Sequence, residues 1–326
     1  MGAKGERPGG MNHWEKSERV VTAIVGPTCT GKTDTGIELA KLVDGEIISA
    51  DSRQIHKLID IGTAKPTPDQ RRKVPHHLVD IVPLDETISA GAYAALAKYA
   101  INEVFDREKT PILVGGSGLY LRSVIDGLFE APEIDPKIRS GLRQRLATEG
   151  REKLLEELKR VDPSAAHGLV PGNYKRVLRG LEVFYSSGRR ISELQKELPD
   201  PPSFSTVQFG ITRDRKELYR RIEERADDMI GAGLVEEVRA ILGRGIDPSL
   251  NSLQTTGYME TIKYLRGEIK FEVMVELIKM NTRRYAKRQM TWFRKDNRII
   301  WMEGTGKSPG EMAEEIWQRL KKVKRG

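Results

Sequence analysis

One short segment constrains the fold of this chain more than any other. Residues 26–33 read Gly-Pro-Thr-Cys-Thr-Gly-Lys-Thr, which is the spacing of a phosphate-binding P-loop. The β-branched apolar run 20–25 before it predicts a buried parallel strand, and residues 35–42 after it have the period of an amphipathic helix. Strand, glycine-rich loop and helix in this order predict an α/β fold that holds a phosphate or diphosphate.

The residue types in this loop suit phosphate chemistry. Gly26 and Gly31 let backbone N–H groups turn inward, and the following helix adds its positive N-terminal dipole. Lys32 would supply a point charge, and Thr33 would offer a hydroxyl to Mg²⁺, the predicted metal. The predicted diphosphate-binding residues of the loop are Gly26, Pro27, Thr28, Cys29, Thr30, Gly31, Lys32 and Thr33.

Composition limits the class of protein. The chain has 326 residues, a 38% hydrophobic content and a net charge of +8, which together favour a globular protein with a polyanionic partner such as nucleic acid. No apolar run approaches the roughly 20 residues that span a bilayer, so we expect no membrane association. Cys29 is the single cysteine, which fits a reducing cytoplasm. We interpret it as a small loop residue rather than a nucleophile, since no histidine is near it in sequence.

The order of the predicted elements indicates the architecture. Strands predicted at 20–25, 47–50 and 111–114 alternate with helices, which favours a doubly wound parallel sheet of P-loop type. Residues 78–82 are predicted to be extended. We expect a core of residues 19–132 and 203–326, a small helical insertion domain at 133–202, and a disordered tail at 1–18. No feature of the sequence indicates an oligomer, and we expect a monomer.

Two polar segments follow predicted strands and should face the same crevice as the P-loop. Asp51, Ser52, Arg53 and Gln54 follow the second strand, and Gly115 to Gly118 follow the strand at 111–114. In isolation, Asp51 could equally be a helix-cap residue, and the glycine segment could be an ordinary tight turn. His76 and His77 are adjacent and lack further ligands at metal-binding spacing, so we do not predict a zinc site there.

Residues 282–294 carry the strongest nucleic-acid signal. Basic side chains alternate there with Tyr285, Trp292 and Phe293 on a predicted helix, a combination that can neutralise phosphates and stack on unpaired bases. Some of these aromatic side chains could instead belong to the core. Lys175, Arg176 and Arg179 form a smaller basic cluster in the predicted insertion.

Taken together, these segments resemble the tRNA dimethylallyltransferase family, also called tRNA isopentenyltransferases. The resemblance is collinear from about residue 20 to residue 303. Besides the P-loop, it rests on D-S-R-Q at 51–54, D-I-G-T-A-K-P-T at 60–67, P-H-H-L-V-D at 75–80, V-G-G-S-G-L-Y at 114–120, R-V-L-R-G-L-E-V at 176–183 and T-R-R-Y-A-K-R-Q-M-T-W-F-R at 282–294.

The resemblance implies transfer of a dimethylallyl group from dimethylallyl diphosphate to the N6 amine of the adenosine 3′ of the anticodon in tRNA. It implies Asp51, Ser117, Lys32 and Thr33 as catalytic residues, and Arg225 as a further diphosphate ligand. The positions that match family contacts to the tRNA anticodon stem-loop are Asp51, Ser52, Arg53, Gln54, Ser117, Arg139, Lys175, Arg176, Val177, Leu178, Arg179, Gln254, Thr255, Thr256, Gly257, Tyr258, Lys287, Arg288, Gln289, Met290, Thr291, Trp292, Phe293 and Arg294.

The sequence departs from the family pattern at a few positions. Ser117 stands where threonine is common, and Gly180 where alanine is usual. Met259 replaces a frequent basic residue, which removes one expected tRNA contact. Two other functions share the P-loop: a nucleotide or small-molecule kinase, and a nucleic-acid-binding ATPase. The first does not account for the basic aromatic helix, and the second lacks an apolar strand ending in Asp-Glu.

Overall fold

A computed structural model describes residues 19–129, 132–197 and 202–323 of the protein. The predicted disordered tail, residues 1–18, lies outside this part of the chain. The described chain divides into two compact units, one made of 19–88, 95–121 and 203–323, and the other of 89–94 and 122–202 less the undescribed positions. The second unit contains the stretch predicted as an insertion domain.

Six strands of the described chain form one parallel sheet in the first unit. They are β1 (Val20–Val25), β2 (Gly45–Ala50), β3 (His76–His77), β4 (Thr110–Gly115), β5 (Ser205–Thr212) and β6 (Ile299–Glu303). Their spatial order is β3-β2-β4-β1-β5-β6. Because β1 lies between strands that are distant in sequence, loops from several parts of the chain meet at its carboxyl end. The predicted α/β class with a parallel sheet is confirmed.

The described residues of the two units contain fourteen α-helices. They are α1 (Lys32–Val43), α2 (Pro68–Lys73), α3 (Ala90–Asp106), α4 (Gly118–Ile125), α5 (Pro136–Glu149), α6 (Arg151–Val161), α7 (Pro163–Ala166), α8 (Tyr174–Ser187), α9 (Ile191–Leu194), α10 (Arg215–Gly231), α11 (Leu234–Gly243), α12 (Tyr258–Leu265), α13 (Phe271–Phe293) and α14 (Pro309–Val323). None of them combines the length and apolar content needed to cross a membrane.

The core of the first unit has two apolar clusters. In one, α1 and α14 place Leu39 and Met312 against Ile24 and Phe209 of the sheet, and all four side chains are buried. In the other, α10 to α13 pack around the buried Tyr258. Helices α12 and α13, which carry some of the predicted RNA-binding residues, are therefore anchored in a hydrophobic cluster of the same unit as the sheet.

The second unit has a helical core of its own. Leu142, Leu154, Leu158 and Leu181 from α5, α6 and α8 form its buried centre. Gly180 allows the close approach of α8 to α6, because a Cβ atom there would lie 2.7 Å from Cδ1 of Leu158. Gly150, at φ 86°, separates α5 from α6.

The prediction that residues 78–82 are extended is wrong. Only Val82 forms a bridge, with His56, while Leu78 and Asp80 adopt positive φ values of 62° and 61°. The cause is tertiary: the Asp80 carboxylate turns to meet the buried ammonium of Lys65 and the guanidinium of Arg71. These ion pairs outweigh the β-propensity of the segment.

Candidate active site

The P-loop follows β1 and is fixed by contacts with β5. Gly26 has φ 137°, and a Cβ atom there would lie 2.6 Å from the carbonyl oxygen of Ile211. Cys29 and Gly31 also have positive φ, of 63° and 93°. The chain therefore turns sharply into α1, as the glycine spacing predicts, and Gly26 is required by both its backbone angle and its neighbour.

Lys32 lies inside this loop. Its Nζ donates to the carbonyl oxygen of Pro27 at 2.5 Å, and the Thr30 hydroxyl donates to the same oxygen at 3.0 Å. Burial lowers the pKa of Lys32 to about 8, with the charge of Arg225 acting in the same direction and Cys29 and Asp51 opposing it. An anionic ligand would therefore meet an ammonium group that has little competing solvation.

Three arginines contact the backbone or side chains of the P-loop from one side. Arg213 Nε donates to Thr30 O at 2.9 Å, Arg221 Nε donates to Cys29 O at 2.9 Å, and Arg225 Nη1 donates to Thr28 Oγ1 at 3.2 Å. Of these three, Arg225 was predicted as a diphosphate ligand, whereas Arg213 and Arg221 were not predicted. The i,i+4 spacing of Arg221 and Arg225 could have indicated that both lie on one face of α10.

Asp51 begins a tight turn directly after β2. Its Oδ1 accepts hydrogen bonds from the amides of Arg53 at 2.8 Å and Gln54 at 3.3 Å. The Gln54 side chain donates in turn to Thr63 O at 3.2 Å and Ala64 O at 3.1 Å, which ties the turn to the 60–67 segment. The carboxylate of Asp51 is therefore held by its own backbone turn.

Ser117 lies beside this turn, at the end of β4. Its hydroxyl oxygen accepts from Ser52 N at 2.9 Å and donates to Ser52 Oγ at 3.3 Å. Gly115 allows β4 to pass close to β2, because a Cβ there would lie 2.1 Å from Ala50 O. The two polar segments predicted to share a crevice do meet, and they are joined through Ser52 and Ser117.

A cavity of about 290 Å³ opens between these turns and the helices of the same unit. Its polar wall includes Thr28 of the P-loop, Asp51, Arg53 and Arg225, and its apolar wall includes the following side chains: Ile222, Ala226, Met229, Met259 and Ile278. Burial lowers the pKa of Arg53, whose Nη1 donates to Asn251 O at 2.6 Å. The cavity thus offers cations, a carboxylate and apolar side chains to a ligand.

Helix α13 borders the cavity with Tyr285 and Arg288. The guanidinium of Arg288 lies 5.7 Å from the centre of the Tyr285 ring, and burial raises the pKa of the Tyr285 hydroxyl. Lys287, Thr291 and Arg294 are exposed on the same helix, as is Trp292, and Met290 is half-buried. This exposed part of α13 is a surface of basic and aromatic groups, as its sequence predicts.

Comparison with known proteins decides the family. A model described as IPP transferase matches residues 54–296, and a tRNA dimethylallyltransferase of Thermodesulfovibrio yellowstonii is 44% identical over 94% of this chain and 99% of its own. The chain belongs to the IPP transferase family. A solved tRNA isopentenylpyrophosphate transferase of Bacillus halodurans has a TM-score of 0.69 and 37% identity, covering 94% of this chain and 99% of its own. The predicted family and enzyme class are confirmed.

A eukaryotic family member extends the comparison. That dimethylallyltransferase, described as acting on tRNA, has a TM-score of 0.76 and 27% identity, and the match covers 89% of this chain and 75% of its own. The IPP transferase family therefore shares both sequence and backbone with this chain over nearly all of the sheet and its helices.

Several residues of the present chain that were predicted to contact RNA have buried side chains. Phe293 packs in the core, and Tyr258 is fully buried, donating from its hydroxyl to Glu237 Oε1 at 2.5 Å. Gln289 is only 7% exposed. Before Tyr258, by contrast, the predicted contacts Gln254, Thr255, Thr256 and Gly257 line the cavity. The predicted role of the buried members in RNA contact stays a prediction.

The second unit carries the remaining predicted RNA contacts. Lys175 and Arg176 are exposed on α8, Leu178 is partly buried, and Val177 is 1% exposed in the helical core. Glu182 pairs with Arg179 at 3.7 Å and with Arg139 on α5 at 3.4 Å. These two guanidinium groups are thus held on one side of the α5–α8 pair.

The histidine pair has separate structural partners in the first unit. His77 Nε2 lies 2.7 Å from Oε2 of Glu46, which also accepts from Arg107, and His76 Nδ1 lies 2.8 Å from Val74 O. Hydrogen bonds from Arg107 and His77 lower the pKa of Glu46 against the opposing effect of burial. The pair serves the edge of the sheet at β3.

Proposed function

We propose that this enzyme transfers the dimethylallyl group of dimethylallyl diphosphate to the N6 amine of the adenosine 3′ of the anticodon in tRNA, releasing pyrophosphate. The observation that carries the proposal is a cavity lined by Thr28 of the P-loop, by Asp51 and by residues of helix α13. Such a cavity can hold a diphosphate at one wall and a purine base near a carboxylate at another.

The cationic groups at the P-loop suit the departing diphosphate. The ammonium of Lys32 lies within the loop, and Arg225 reaches the Thr28 hydroxyl from α10. As the C1–O bond of the donor breaks, negative charge develops on the diphosphate, and fixed cations stabilise that charge without having to reorganise. Arg221, which holds Cys29 O, places a further positive charge beside the loop.

Asp51 is the base in this proposal. The N6 lone pair of adenine attacks C1 of the allyl group, the bond from C1 to the diphosphate oxygen breaks, and one N6 proton passes to the Asp51 carboxylate. The Asx-type turn fixes the position of that carboxylate through Oδ1. Ser117, held against Ser52, positions the reacting groups next to it.

Mg²⁺ is the proposed cofactor. The donor set fits a hard cation, because Thr33 offers a hydroxyl in the first turn of α1 and the diphosphate supplies oxygens. The described residues contain no group of three or more His, Cys, Asp or Glu side chains placed to hold a metal by themselves, so diphosphate oxygens and water would complete the coordination. Bound there, Mg²⁺ would neutralise charge on the diphosphate.

RNA binding is assigned to exposed basic residues. On α13 these are Lys287, Arg288 and Arg294, with Trp292 available for stacking on an unpaired base. The target adenosine must leave its stack to reach Asp51, which costs a few kcal/mol and less in a loop than in a duplex. We propose that the enzyme acts as a monomer in the cytoplasm, where its tRNA substrate is present.

The test is to incubate the protein with Mg²⁺, labelled dimethylallyl diphosphate and unmodified tRNA, and to digest the product to nucleosides. We expect label in N6-dimethylallyladenosine from the anticodon loop, with one pyrophosphate released per transfer. Consumption of ATP with phosphorylation of a small molecule, and no labelled nucleoside, would support a kinase and overturn the proposal.

A further inference from the structure

Gln289 lies on the buried face of α13 with Ala286 and Phe293, next to an exposed basic surface. Its neighbours Lys287, Arg288 and Thr291 are exposed, whereas Gln289 is 7% exposed. A buried amide requires partners for both its carbonyl and its NH₂ group, since a buried polar group without a partner destabilises the fold. Gln289 has a hydrogen-bond partner for each of these two groups.

Both partners lie in loops of the candidate active site. The Gln289 Oε1 atom accepts from the backbone amide of Thr28 in the P-loop at 2.8 Å. Its Nε2 donates to the carbonyl oxygen of Gly116 at 2.9 Å, in the turn that carries Ser117. Gly116 leaves room for this contact, because a Cβ atom there would lie 2.3 Å from Nε2. One side chain thus bridges the loops that follow β1 and β4.

A second contact joins the same helix to the same turn. Next to Gly116, a Cβ atom on Gly118 would lie 2.2 Å from Nε1 of Trp292. The indole of Trp292 is therefore packed on Gly118 while remaining 39% exposed. The exposed basic and aromatic surface of α13 therefore cannot shift relative to the carboxyl ends of β1 and β4 without moving Gln289 and Trp292 relative to both loops.

We propose that Gln289 is a positioning residue that couples occupancy of the α13 surface by RNA to the geometry of the diphosphate loop. RNA held by Arg288 and its neighbours would fix α13, and Gln289 would then hold Thr28 and Gly116 in the arrangement that grips the diphosphate. The inference deepens the proposed function and rests on it. Because such coupling is reciprocal, donor binding must strengthen RNA binding by the same factor.

The experiment measures the dissociation constant of pyrophosphate, with Mg²⁺, in the absence and presence of saturating unmodified tRNA. Pyrophosphate is used because it occupies the leaving-group site without allowing turnover. For the wild type we expect the affinity to rise at least about fivefold with tRNA, the lower end of common coupling factors. For Gln289→Met the ratio, measured at a tRNA concentration that saturates the variant, should fall to within about twofold of unity.

Gln208→Met is the matched control. Gln208 is also a buried glutamine in the same unit, 5% exposed on β5, and its amide contacts Asp296 rather than the P-loop. This variant should keep the wild-type coupling ratio. If Gln289→Met does not fold, Gln289→Glu replaces it: the carboxylate can still accept from Thr28 but cannot donate to Gly116, so the ratio should again collapse.

The outcomes separate the inference from the proposed function. A folded Gln289 variant that keeps the wild-type ratio would overturn the inference, and so would a wild-type ratio of one. Both results could occur in a protein that still prenylates tRNA, which is measured separately with labelled donor. Loss of coupling in the Gln289 variants, with wild-type coupling in Gln208→Met, would support it.

Discussion

The buried ammonium of Lys32 leads to a prediction about pH. Burial lowers its pKa from the ordinary value near 10.5 to about 8 in the free protein. At pH 8.5 about three quarters of the molecules therefore carry a neutral Lys32, and at pH 7 about one tenth do. A diphosphate beside the ammonium favours the charged form and raises the pKa again. Donor binding at pH 8.5 must then take up about 0.7 proton per site, and at pH 7 about 0.1.

The affinity for the donor should also decrease as the pH rises. Raising the pH removes the charge of Lys32 from the free protein, so the dissociation constant should increase about tenfold between pH 7 and pH 9. The assay is calorimetric titration with dimethylallyl diphosphate, without tRNA, in buffers of different ionisation enthalpy. The last ionisation of a phosphate ester has a pKa of about 6, so protonation of the ligand itself contributes little to the proton uptake above about pH 7.5.

Lys32→Arg is the control, because a guanidinium stays charged across this range. The variant should bind the donor with no more than about 0.1 proton taken up at pH 8.5. Equal proton uptake by the wild type and Lys32→Arg at pH 8.5 would refute the assignment of this titration to Lys32. A wild-type affinity that does not change between pH 7 and pH 9 would refute the lowered pKa itself.

Three further substitutions test other parts of the site. Asp51→Asn should lower the single-turnover rate by about 10²-fold or more while tRNA binding persists, and an unchanged rate would remove Asp51 as the base. Arg288→Ala should weaken tRNA binding and reduce the slope of log K against log salt by about one, measured by filter binding, whereas Arg319→Ala on α14 should not. Gly26→Ala should destabilise the protein by about 1–3 kcal/mol in urea unfolding, because the new Cβ meets Ile211 O at 2.6 Å. Gly141→Ala, in α5 with no atom within 4 Å of the new Cβ, should not destabilise it.

Three strands of the sheet could be predicted from sequence because each is a short apolar run that ends at a glycine or polar turn, whereas β3 consists of two histidines. The runs at 20–25, 47–50 and 111–114 all lie in the parallel sheet. Helix α2 was missed, since it is polar throughout and depends on a capping box in which Thr67 and Gln70 hold each other's backbone amides. Hydrophobic periodicity does not predict a helix of this kind, because the helix has no apolar face.

The candidate site was predictable where the chemistry is local and not where it is tertiary. The P-loop, Asp51 and Ser117 could be named from their places after strands. The contacts of Arg213 with Thr30 and Gly304 could not, because residues 30, 213 and 304 are far apart in sequence and meet only when β1, β5 and β6 are adjacent. The same holds for Gln289, whose hydrogen-bond partners Thr28 and Gly116 are far from it in sequence.

These long-range contacts bear on how a P-loop comes to serve a prenyl donor. The motif at 26–33 provides the turn and the lysine, but its conformation depends on Arg213 after β5, Arg221 on α10 and Gln289 on α13. Arg213 and Arg221 are cations that hold the loop backbone, and Gln289 connects the loop to the surface assigned to RNA. The loop is therefore held by residues distant in sequence, and the proposed site is completed by Asp51, the apolar side chains that line the cavity and the basic residues of α13.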